Sequence, residues 1–548
     1  MAEKGESQIE RLDKWKEHFC NLLGKSPNVI DKEIETVIDY ELPIKKGPFS
    51  MDELEQVIKK TKNNKAAGLD GIPPELWKTG RFNDYLLNFC NDVYQQNKIS
   101  VWTKGCILPF PKKSDLSLPD NYRGITLTCI ASKIYNSLLR DRILPELEKV
   151  LRQNQNGFRP NRSTQGQILT IRRLLEGVKA KNLQATIIFV DFSKAFDSVH
   201  RGKLAEILKA YGIPKETVDA ILMLYKDTQS LVRSPDGDTE FFRIVAGVLQ
   251  GDTLAPLLFI LALDYVLRMS LDNNSDLGFT LQPSAGRRNP AKQLTDADYA
   301  DDLAILSNTF PHAERLLHAL EKHAATIGLY VNAKKTEAMN FNQANNITIK
   351  TASGKPLKHV DNFVYLGSEI SSTEKDIKIR IAKAWAALNK MQVIWKSILC
   401  NELKRNFFRA VVESILLYGS ATWTLTKSHE KMLDGTYTRM LRAALNISWR
   451  QHPTKEQLYG NTPTISTLVR ERRLRFAGHC FRSKNELISE LILWNPRHGR
   501  RSAGRPKITY LDVISRDTGL LQEDLETAMM DREGWKDRVS LARATRST

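Results

Sequence analysis

The amino-acid sequence predicts an α/β fold with helical segments at both ends. Two runs rich in apolar and β-branched residues, 185–192 and 293–306, predict strands, and each contains carboxylates. Apolar residues at helical spacing dominate the segments around and between these runs. The chain has 548 residues, of which 41% are hydrophobic. It can therefore bury a core of several domains' size, which excludes wholesale disorder.

The segments before the first strand are predicted to be helical. Apolar residues between Ile9 and Leu22 recur at helical spacing. Ser50 and Glu53 form a capping box, a pair that commonly starts a helix, and this helix is expected to end near Lys62. Further helical patterns cover residues 74–97, 131–151 and 163–180.

Helices also separate the two predicted strands. Pro235-Asp236-Gly237 predicts the turn of a hairpin at 231–247, and a polar loop is expected at 272–292. Helical patterns cover 201–230 and 252–271, a small strand pair is expected at 347–370, and the chain is mainly helical from about residue 373 onward.

Composition and charge exclude several classes of protein. Lys and Arg number 81 against 63 Asp and Glu, a net charge of +18. This charge favours a polyanionic partner such as nucleic acid, with solubility alone as the alternative. The six cysteines lack the paired short spacing of a disulfide scaffold or a Cys-x-x-Cys zinc site. The start lacks a signal peptide's apolar segment, and the longest apolar run, 254–263, is too short for a bilayer. We therefore expect an intracellular protein without a membrane partner.

Two groups of carboxylates give the strongest chemical signal. Asp191 lies at the end of the first predicted strand, and Asp301 and Asp302 belong to the second. Adjacent carboxylates beside a core repel one another, and burial disfavours their charged form. Mg²⁺ removes this penalty, because it binds carboxylate oxygens together with substrate phosphates. Two such ions about 3.5–4 Å apart could activate a 3′-hydroxyl and hold a leaving pyrophosphate. A turn or cap role is the alternative for any single aspartate.

These carboxylates lie in a series of motifs that resembles the reverse transcriptase of non-LTR (LINE-type) retrotransposons, closest to the RTE-like group. Tyr299-Ala300-Asp301-Asp302 resembles the family's catalytic turn, and the segment around Asp191 resembles its motif A. Gly124 and Ala255 stand where the family more often has Pro and Ser. The other motifs follow in family order at 121–127 and 155–160 (fingers), 247–256 (motif B), 328–336 (motif D), 363–367 (motif E), 418–423 (thumb), and 473–479 with 504–506 (tail).

The resemblance implies a right-hand polymerase (fingers, palm, thumb) with helical N- and C-terminal extensions. Asp191, Asp301 and Asp302 are then the metal ligands, with two Mg²⁺ ions expected and Mn²⁺ as a substitute. The implied divisions are an N-terminal helical extension at 1–91, fingers and palm at 92–372, a helical thumb at 373–445, and a basic C-terminal nucleic-acid-binding region at 446–548.

The resemblance also implies roles for residues around the metal site. Lys335 would protonate the leaving pyrophosphate, with a solvated lysine as the alternative. Phe196 would exclude a 2′-hydroxyl and so select dNTPs, with a core position as the alternative. Arg123 and Arg159 would contact the triphosphate, with template contact or a surface salt bridge as the alternative. The remaining implied positions are Phe192, Gln250 and Gly251 in nucleotide binding, and Tyr365, Leu366 and Gly367 in the primer grip.

The densest basic segment lies near the C terminus. Between Arg470 and Lys507 there are 11 Lys and Arg against 3 Glu. This excess favours a surface that contacts phosphates, with a solvated helix face as the alternative. The candidate nucleic-acid contacts are Arg473, Arg475, Arg500, Arg501 and Arg505.

The implied activity is RNA-directed DNA synthesis for a retrotransposon, primed from nicked target DNA. The expected partners are template RNA, a DNA primer or target DNA, and dNTPs. Residues 1–50 are too short for the N-terminal endonuclease of many relatives, so a separate endonuclease is expected to make the nick. The expected location is the nucleus at the integration step, with a cytoplasmic ribonucleoprotein as the alternative.

Three other functions stay open at this level. A decayed or domesticated copy would bind RNA without polymerising, although the intact Asp191, Asp301 and Asp302 argue against it. A group II intron maturase would carry a different tail. An RNA-synthesising polymerase would be distinguished by its nucleotide selectivity at Phe196.

Overall fold

Strands near the middle of the chain are surrounded by helices, so the fold is mixed α/β, as the sequence predicts. The structure is a computed structural model that describes residues 7–95, 102–112, 115–249, 251–343, 348–448, 450–460, 462–484, 486–501, 504 and 507–544. The strands in chain order are β1 (Lys104–Pro111), β2 (Tyr122–Leu127), β3 (Ala185–Val190), β4 (Gln229–Ser234), β5 (Gly237–Asp238), β6 (Phe242–Arg243), β7 (Phe279–Gln282), β8 (Lys292–Leu294), β9 (Asp296–Tyr299), β10 (Asp302–Ser307), β11 (Glu337–Phe341), β12 (Lys358–His359), β13 (Val364–Tyr365) and β14 (Ser368–Glu369).

Helices form most of the remaining chain. They are α1 (Gln8–Leu23), α2 (Met51–Lys60), α3 (Pro74–Trp77), α4 (Asn83–Tyr94), α5 (Ile130–Leu147), α6 (Thr164–Lys181), α7 (Arg201–Ala210), α8 (Lys215–Tyr225), α9 (Ala255–Ser270), α10 (Phe310–Ala325), α11 (Thr373–Lys390), α12 (Gln392–Trp395), α13 (Asn401–Phe408), α14 (Ser414–Leu416), α15 (Lys427–Ala444), α16 (Lys455–Tyr459), α17 (Ile465–Arg482), α18 (Leu487–Leu491), α19 (Tyr510–Thr518), α20 (Leu525–Met530) and α21 (Arg532–Ala544).

The central sheet has five strands in the order β12-β11-β3-β10-β9. Its neighbours are antiparallel except β11 and β12, which are parallel. Every residue of β3 is buried, because both faces of the sheet are covered. Ile188 and Val190 pack into one core, and Ile187 and Phe189 pack into another on the opposite face. Double burial explains why 185–190 is a continuous apolar run rather than an alternating one.

Three large groups of helices make the cores. Helices α5 and α7 to α10 pack on one face of the central sheet, and α6 with α18 to α21 packs on the other. Helices α11 to α16 enclose a third core around Trp395 and Trp423. Helix α17 contributes to two cores, through Val469 and Leu474. The C-terminal helices therefore share a core with the central sheet, while the predicted domain boundaries stay predictions.

A second sheet contains β2, the strand that carries Arg123. Its main path is β2-β1-β4-β5, with β6 paired to β4. The β4–β5 hairpin turns between Ser234 and Gly237, which confirms the hairpin that Pro235-Asp236-Gly237 predicts. The capping box of Ser50 and Glu53 is also confirmed at the start of α2.

Some predicted elements are divided or displaced. The helix predicted at 74–97 is two helices, α3 and α4, with Gly80 at φ +74° between them. The helix predicted at 201–230 is likewise divided into α7 and α8 at Gly212, whose φ is +65°. A residue with positive φ can end a helix with little conformational strain only if it has no Cβ, as in glycine. The segment 272–292, expected to be a polar loop, contains β7.

No helix within the described ranges has the length and apolar character needed to cross a membrane.

Candidate active site

A tight hairpin presents two of the predicted metal ligands. Strands β9 and β10 are antiparallel with Asp302 opposite Tyr299, so Ala300 and Asp301 form a two-residue turn. Ala300 has φ +53°, a left-handed conformation that costs a residue with a Cβ roughly 1–2 kcal/mol. The turn therefore needs support from outside the hairpin.

Gln155 provides this support. Its buried Oε1 accepts hydrogen bonds from the Ala300 N–H at 2.7 Å and from the Gly157 N–H at 2.7 Å. Its Nε2 donates to the Ala300 carbonyl at 3.2 Å. A Cβ at Gly157 would overlap the Ala300 backbone, so glycine lets this segment lie against the turn. Gln155 is a positioning residue that the sequence analysis included only within a motif.

Asp191 lies beside Asp302 on the neighbouring strand. The register of β3 and β10 pairs Val190 with Leu303, so Asp191 and Asp302 are the next residues along each strand. The Asp191 N–H donates to Thr336 Oγ1 at 3.2 Å, and its carbonyl accepts from the Asn332 N–H at 2.7 Å. The sheet register thus brings the two predicted carboxylate groups to one edge.

The three carboxylates repel one another. Burial and then the charge of Asp191 raise the pKa of Asp301, against the opposing charges of Arg123 and Lys335. Asp302 is exposed at the surface, yet partial desolvation, followed by the charges of Asp301 and Asp191, raises its pKa to about 6. Asp191 Oδ2 is buried without a hydrogen bond, although the Lys335 ammonium lies 3.3 Å away.

This donor set fits a divalent cation. The unsatisfied Asp191 oxygen and the mutual repulsion are both relieved by a hard cation such as Mg²⁺. Over the part of the chain that the structure describes, no group of three or more His, Cys, Asp or Glu side chains is arranged to hold a metal ion by itself. An ion here would therefore take part of its coordination from substrate phosphates.

Two basic side chains act on these carboxylates, and a third, Lys112, interacts with both of them. Lys335 lies beside Asp191, and the charge of Arg123 on β2 opposes the rise in the pKa of Asp301. Lys112 follows β1, where Phe110 pairs with Arg123. Its pKa is lowered by desolvation, then by the charge of Arg123, with Asp197 acting in the opposite direction. Such a group suits a triphosphate. Lys112 is not predictable from local sequence, because only the β1–β2 register places it near Arg123.

Phe196 is half-buried in an aromatic cluster. Its ring stacks on Phe259 at a centroid distance of 4.2 Å and meets the edge of Phe158 at 6.0 Å. Phe158 is 54% exposed, so the cluster extends from the core to the surface. The Phe192 side chain is buried in the core, which leaves only its backbone to act in nucleotide binding.

The glycine of motif B serves the protein's own packing. Gly251 has φ +114°, and a Cβ there would overlap the Thr126 carbonyl on β2. Glycine at this position therefore allows close packing against a strand of the same chain, while the predicted role in nucleotide binding stays a prediction. Gln250, the other predicted residue of this motif, lies outside the described residues.

The predicted primer-grip residues form a second tight turn. Leu366 and Gly367 connect β13 and β14 with φ +48° and +77°, the combination found in two-residue hairpin loops. The Tyr418 hydroxyl donates to the Leu366 carbonyl at 2.8 Å. Tyr365 is buried, and its hydroxyl donates to the carbonyls of Ala297 at 3.0 Å and Asp302 at 3.3 Å. Tyr365 therefore ties this turn to the catalytic hairpin.

A buried ionic group underlies the same hairpin. Arg152 donates to both carboxylate oxygens of Asp296, at 2.7 and 2.8 Å, and to Asp298 at 3.3 Å. Against the effect of burial, Arg152 lowers the pKa of Asp296 to about 2. Burial and the neighbouring Asp296 raise the pKa of Asp298. The two carboxyls thus shift in opposite directions, and Arg152 stabilises the charged form of Asp296.

The structure corrects the role predicted for Arg159. Its guanidinium is buried, bound to the Glu148 carboxylate at 2.8 and 2.9 Å and to the carbonyls of Arg152 and Gln155. Four of its five N–H groups are thus used inside the protein. This arrangement fixes the 148–159 loop and does not offer the side chain to a triphosphate.

The tail arginines also separate into two kinds. Arg473 is buried and pairs with Asp517, while its Nη1 donates to the Trp423 carbonyl at 3.1 Å. Its predicted contact with nucleic acid is wrong for this conformation, because the side chain lies in the core. Arg475, Arg500 and Arg501 are exposed at the surface. Arg505 lies outside the described residues.

Known proteins are similar to this chain in sequence. Residues 110–370 match the family described as reverse transcriptase (RNA-dependent DNA polymerase). These residues form a reverse transcriptase domain. Members of this family use divalent metal ions and act on an RNA template and DNA. The predicted relationship to retrotransposon reverse transcriptases is confirmed, whereas the RTE-like subtype and the lack of an endonuclease stay predictions.

Three relatives are similar to this chain, and the matches to the last two extend beyond this domain. A putative transposon-derived protein of Caenorhabditis elegans is 26% identical over 263 residues, 44% of this chain and 94% of that protein. The probable RNA-directed DNA polymerase from transposon BS of Drosophila melanogaster is 25% identical over 507 residues, 86% of this chain and 53% of that protein. The RNA-directed DNA polymerase from mobile element jockey of Drosophila funebris is 23% identical over 473 residues, 81% of this chain. This chain spans about half the length of the last two, 53% and 49%.

Proposed function

We propose that this chain is the RNA-directed DNA polymerase of a non-LTR retrotransposon. The observation that carries the proposal is the meeting of Asp191, Asp301 and Asp302 at one sheet edge inside a reverse transcriptase domain. In this proposal the central sheet is the palm, the second sheet belongs to the fingers, and α11 to α15 form the thumb.

Asp191, Asp301 and Asp302 would hold the divalent ions. We propose two Mg²⁺ ions, with Mn²⁺ as a substitute. The orphaned Asp191 Oδ2 and the raised pKa values of Asp301 and Asp302 support this assignment. When bound, the ions would activate the primer 3′-hydroxyl and neutralise the charge of the phosphates.

The chain's own basic residues would hold the nucleotide. Arg123 and Lys112 would bind the triphosphate oxygens, because both act electrostatically around the carboxylate edge. Lys335 would give a proton from its Nζ to the leaving pyrophosphate. Phe196 would lie below the ribose, where the Phe259 stack prevents its ring from retreating. A bulky ring in that place would exclude a 2′-hydroxyl and so select dNTPs.

The primer would lie against the Leu366-Gly367 turn. The hydrogen bonds from the neighbouring Tyr365 to the catalytic hairpin support this placement. Template RNA and nicked target DNA are the proposed nucleic-acid partners, with the nick made by a separate endonuclease. The proposed site of integration is the nucleus. These partners follow from the similarity to retrotransposon reverse transcriptases.

Primer extension on an RNA template tests the proposal. The chain is compared with Asp301→Asn plus Asp302→Asn, using Mg²⁺ and either dNTPs or rNTPs. We expect extension with dNTPs, and a fall of about 10³-fold in the double variant, because lost metal ligands are worth several kcal/mol of barrier. The adjacent, exposed pair Glu523→Gln plus Asp524→Asn is the matched control and should extend normally.

The other outcomes separate the alternatives. RNA binding without synthesis by the unmodified chain would support a copy that only binds RNA. Extension with rNTPs at the same rate as dNTPs would support an RNA-synthesising polymerase. Equal synthesis by the chain and its double variant would show that the active site lies elsewhere.

A further inference from the structure

A basic cavity lies between helices α17 and α21, in the C-terminal part of the chain. Its volume is about 420 Å³. Five of its eight lining residues are basic, and none of the eight is acidic. The basic residues are Arg475, His479, Arg482, Arg532 and Lys536. Of these, the sequence analysis singled out only Arg475 as a nucleic-acid contact.

Close packing of the two helices builds the floor of this cavity. A Cβ on Gly478 would overlap the Trp535 indole and lie 3.1 Å from Arg482 Nη1, so glycine lets both side chains lie on α17. The Trp535 Nε1–H donates to the Leu474 carbonyl at 2.8 Å. The Arg482 guanidinium donates to the Met529 carbonyl at 2.7 Å. The cavity is therefore held by the core and is not an incidental gap between surface side chains.

Nearby carboxylates form ion pairs with two of the five basic residues. Glu471 pairs with Arg475 at 2.7 Å, and Glu533 pairs with Lys536 at 2.7 Å. Asp531 accepts from the Gly534 N–H at 3.1 Å, at the start of α21. Among the ion pairs of the described residues, none involves Arg482 or Arg532. Desolvation and then the charge of Arg532 lower the pKa of Arg482. The guanidinium groups of Arg482 and Arg532 thus repel each other, and a bound anion would relieve this repulsion.

The basic residues form two rows that suit an extended ligand. Arg475, His479 and Arg482 are spaced by four and three residues on α17, and Arg532 and Lys536 are spaced by four on α21. Each row therefore faces one way along its helix. From Arg475 to Arg482 the row extends about 10 Å at 1.5 Å per residue. One strand of duplex DNA carries about three phosphates over that length.

We propose that this cavity binds consecutive phosphates of a nucleic-acid strand. The inference rests on the proposed function, which requires the protein to hold RNA and DNA. It adds a phosphate-binding site that is formed by α17 and α21 and lies outside the reverse transcriptase domain, which covers 110–370. A small anion could contact only some of the basic side chains in the two rows. A nucleic-acid strand is long enough for its phosphates to contact both rows.

Two single substitutions on α21 test the proposal. Arg532→Gln removes a charge that lines the cavity, and Arg538→Gln removes an equally exposed charge on the same helix that does not line it. Binding of an RNA oligonucleotide and of a DNA duplex of equal length is measured by fluorescence anisotropy at several salt concentrations. Thermal melting of each variant confirms that it is folded.

We expect Arg532→Gln to weaken binding and to reduce the log–log salt slope by about 0.7–0.9, the value for one lost phosphate contact. Arg538→Gln should leave the slope close to that of the unmodified chain. Arg482→Gln plus Arg532→Gln should reduce it about twice as much. If the slope falls only for RNA, the bound strand is RNA, and if it falls only for DNA, the bound strand is DNA. If it falls for both, the cavity binds either nucleic acid.

Equal slopes for Arg532→Gln and Arg538→Gln would overturn the proposal, since the cavity would then add nothing to the general positive charge. The titrations need no synthesis. Failure of the unmodified chain to extend a primer would therefore count against the proposed function and would leave this comparison of slopes intact.

Discussion

At the scale of single residues, burial decides what identical side chains do. Arg123 is exposed on β2 and acts on the pKa of Asp301. Arg159 is buried and bound to Glu148, and Arg473 is buried and bound to Asp517. A guanidinium suits both triphosphate binding and a buried ion pair, so residue type alone does not distinguish these roles.

Asp302 gives a prediction about pH. Its pKa is raised to about 6 in the folded chain, against about 3.9 in an unfolded chain. Between these values the folded state binds more protons, so the free energy of unfolding falls as pH rises through this window. Asp302→Asn cannot titrate. In EDTA, urea unfolding from about pH 4 to 6 should therefore show a smaller loss of stability for the variant than for the unmodified chain.

Added Mg²⁺ provides the control for this measurement. The ion would bind the ionised carboxylates, so it should stabilise the unmodified chain most at the upper end of the pH window. Stability curves that run parallel for the two proteins in EDTA would contradict the assigned rise in the pKa of Asp302.

At the scale of elements, the catalytic hairpin depends on a segment far away in the chain. The φ of +53° at Ala300 is maintained by Gln155 through bonds to both the N–H and the carbonyl of that residue. On the other side, Tyr365 donates to the hairpin carbonyls. The hairpin is thus held between the 155–157 segment and the β13–β14 turn.

Replacing Gln155 with Ala should disturb this turn. We expect the protein to lose about 1–3 kcal/mol of stability, because buried backbone groups lose their partners. Primer extension should slow by about 10–100-fold through misplacement of Asp301. Gln153→Ala is the matched control, since Gln153 is exposed two residues earlier. Equal rates for the two variants would show that Gln155 does not position the catalytic turn.

At the scale of the whole molecule, the C-terminal helices are part of the body that contains the central sheet. Leu474, Ile488 and Trp535 share a core with Phe189 of β3. Arg473 reinforces this arrangement by joining α17 to Asp517 on α19 and to the Trp423 carbonyl. The segment predicted to be a basic nucleic-acid-binding region is therefore also a structural layer over the sheet.

Arg473 and Arg475 should separate stability from binding. Arg473→Ala leaves Asp517 buried without this partner, so we expect a loss of about 3–5 kcal/mol in urea unfolding and little change in the salt slope of RNA binding. Arg475→Ala removes an exposed pair with Glu471, which is worth at most about 1 kcal/mol, and should reduce the slope. The reverse pattern would show that Arg473, not Arg475, faces the nucleic acid.

The sequence by itself determined the local features of this protein. The Ser50 capping box, the hairpin turn at Pro235-Asp236-Gly237 and the buried run of β3 depend on neighbouring residues and were predicted. Asp191 and the pair Asp301 and Asp302 were identified for the same reason, because carboxylates next to apolar strands are a short-range pattern. The order of the motifs then indicated a reverse transcriptase, which the match over 110–370 confirms.

Only the tertiary structure decided which side chains meet. Lys112 joins the site through the β1–β2 register, and Gln155 reaches Ala300 across 145 residues. Burial assigns Arg159 and Arg473 to internal ion pairs, and the packing of α21 on Gly478 makes the basic cavity. Strand register and burial depend on contacts between segments far apart in the chain. Local sequence patterns do not contain that information.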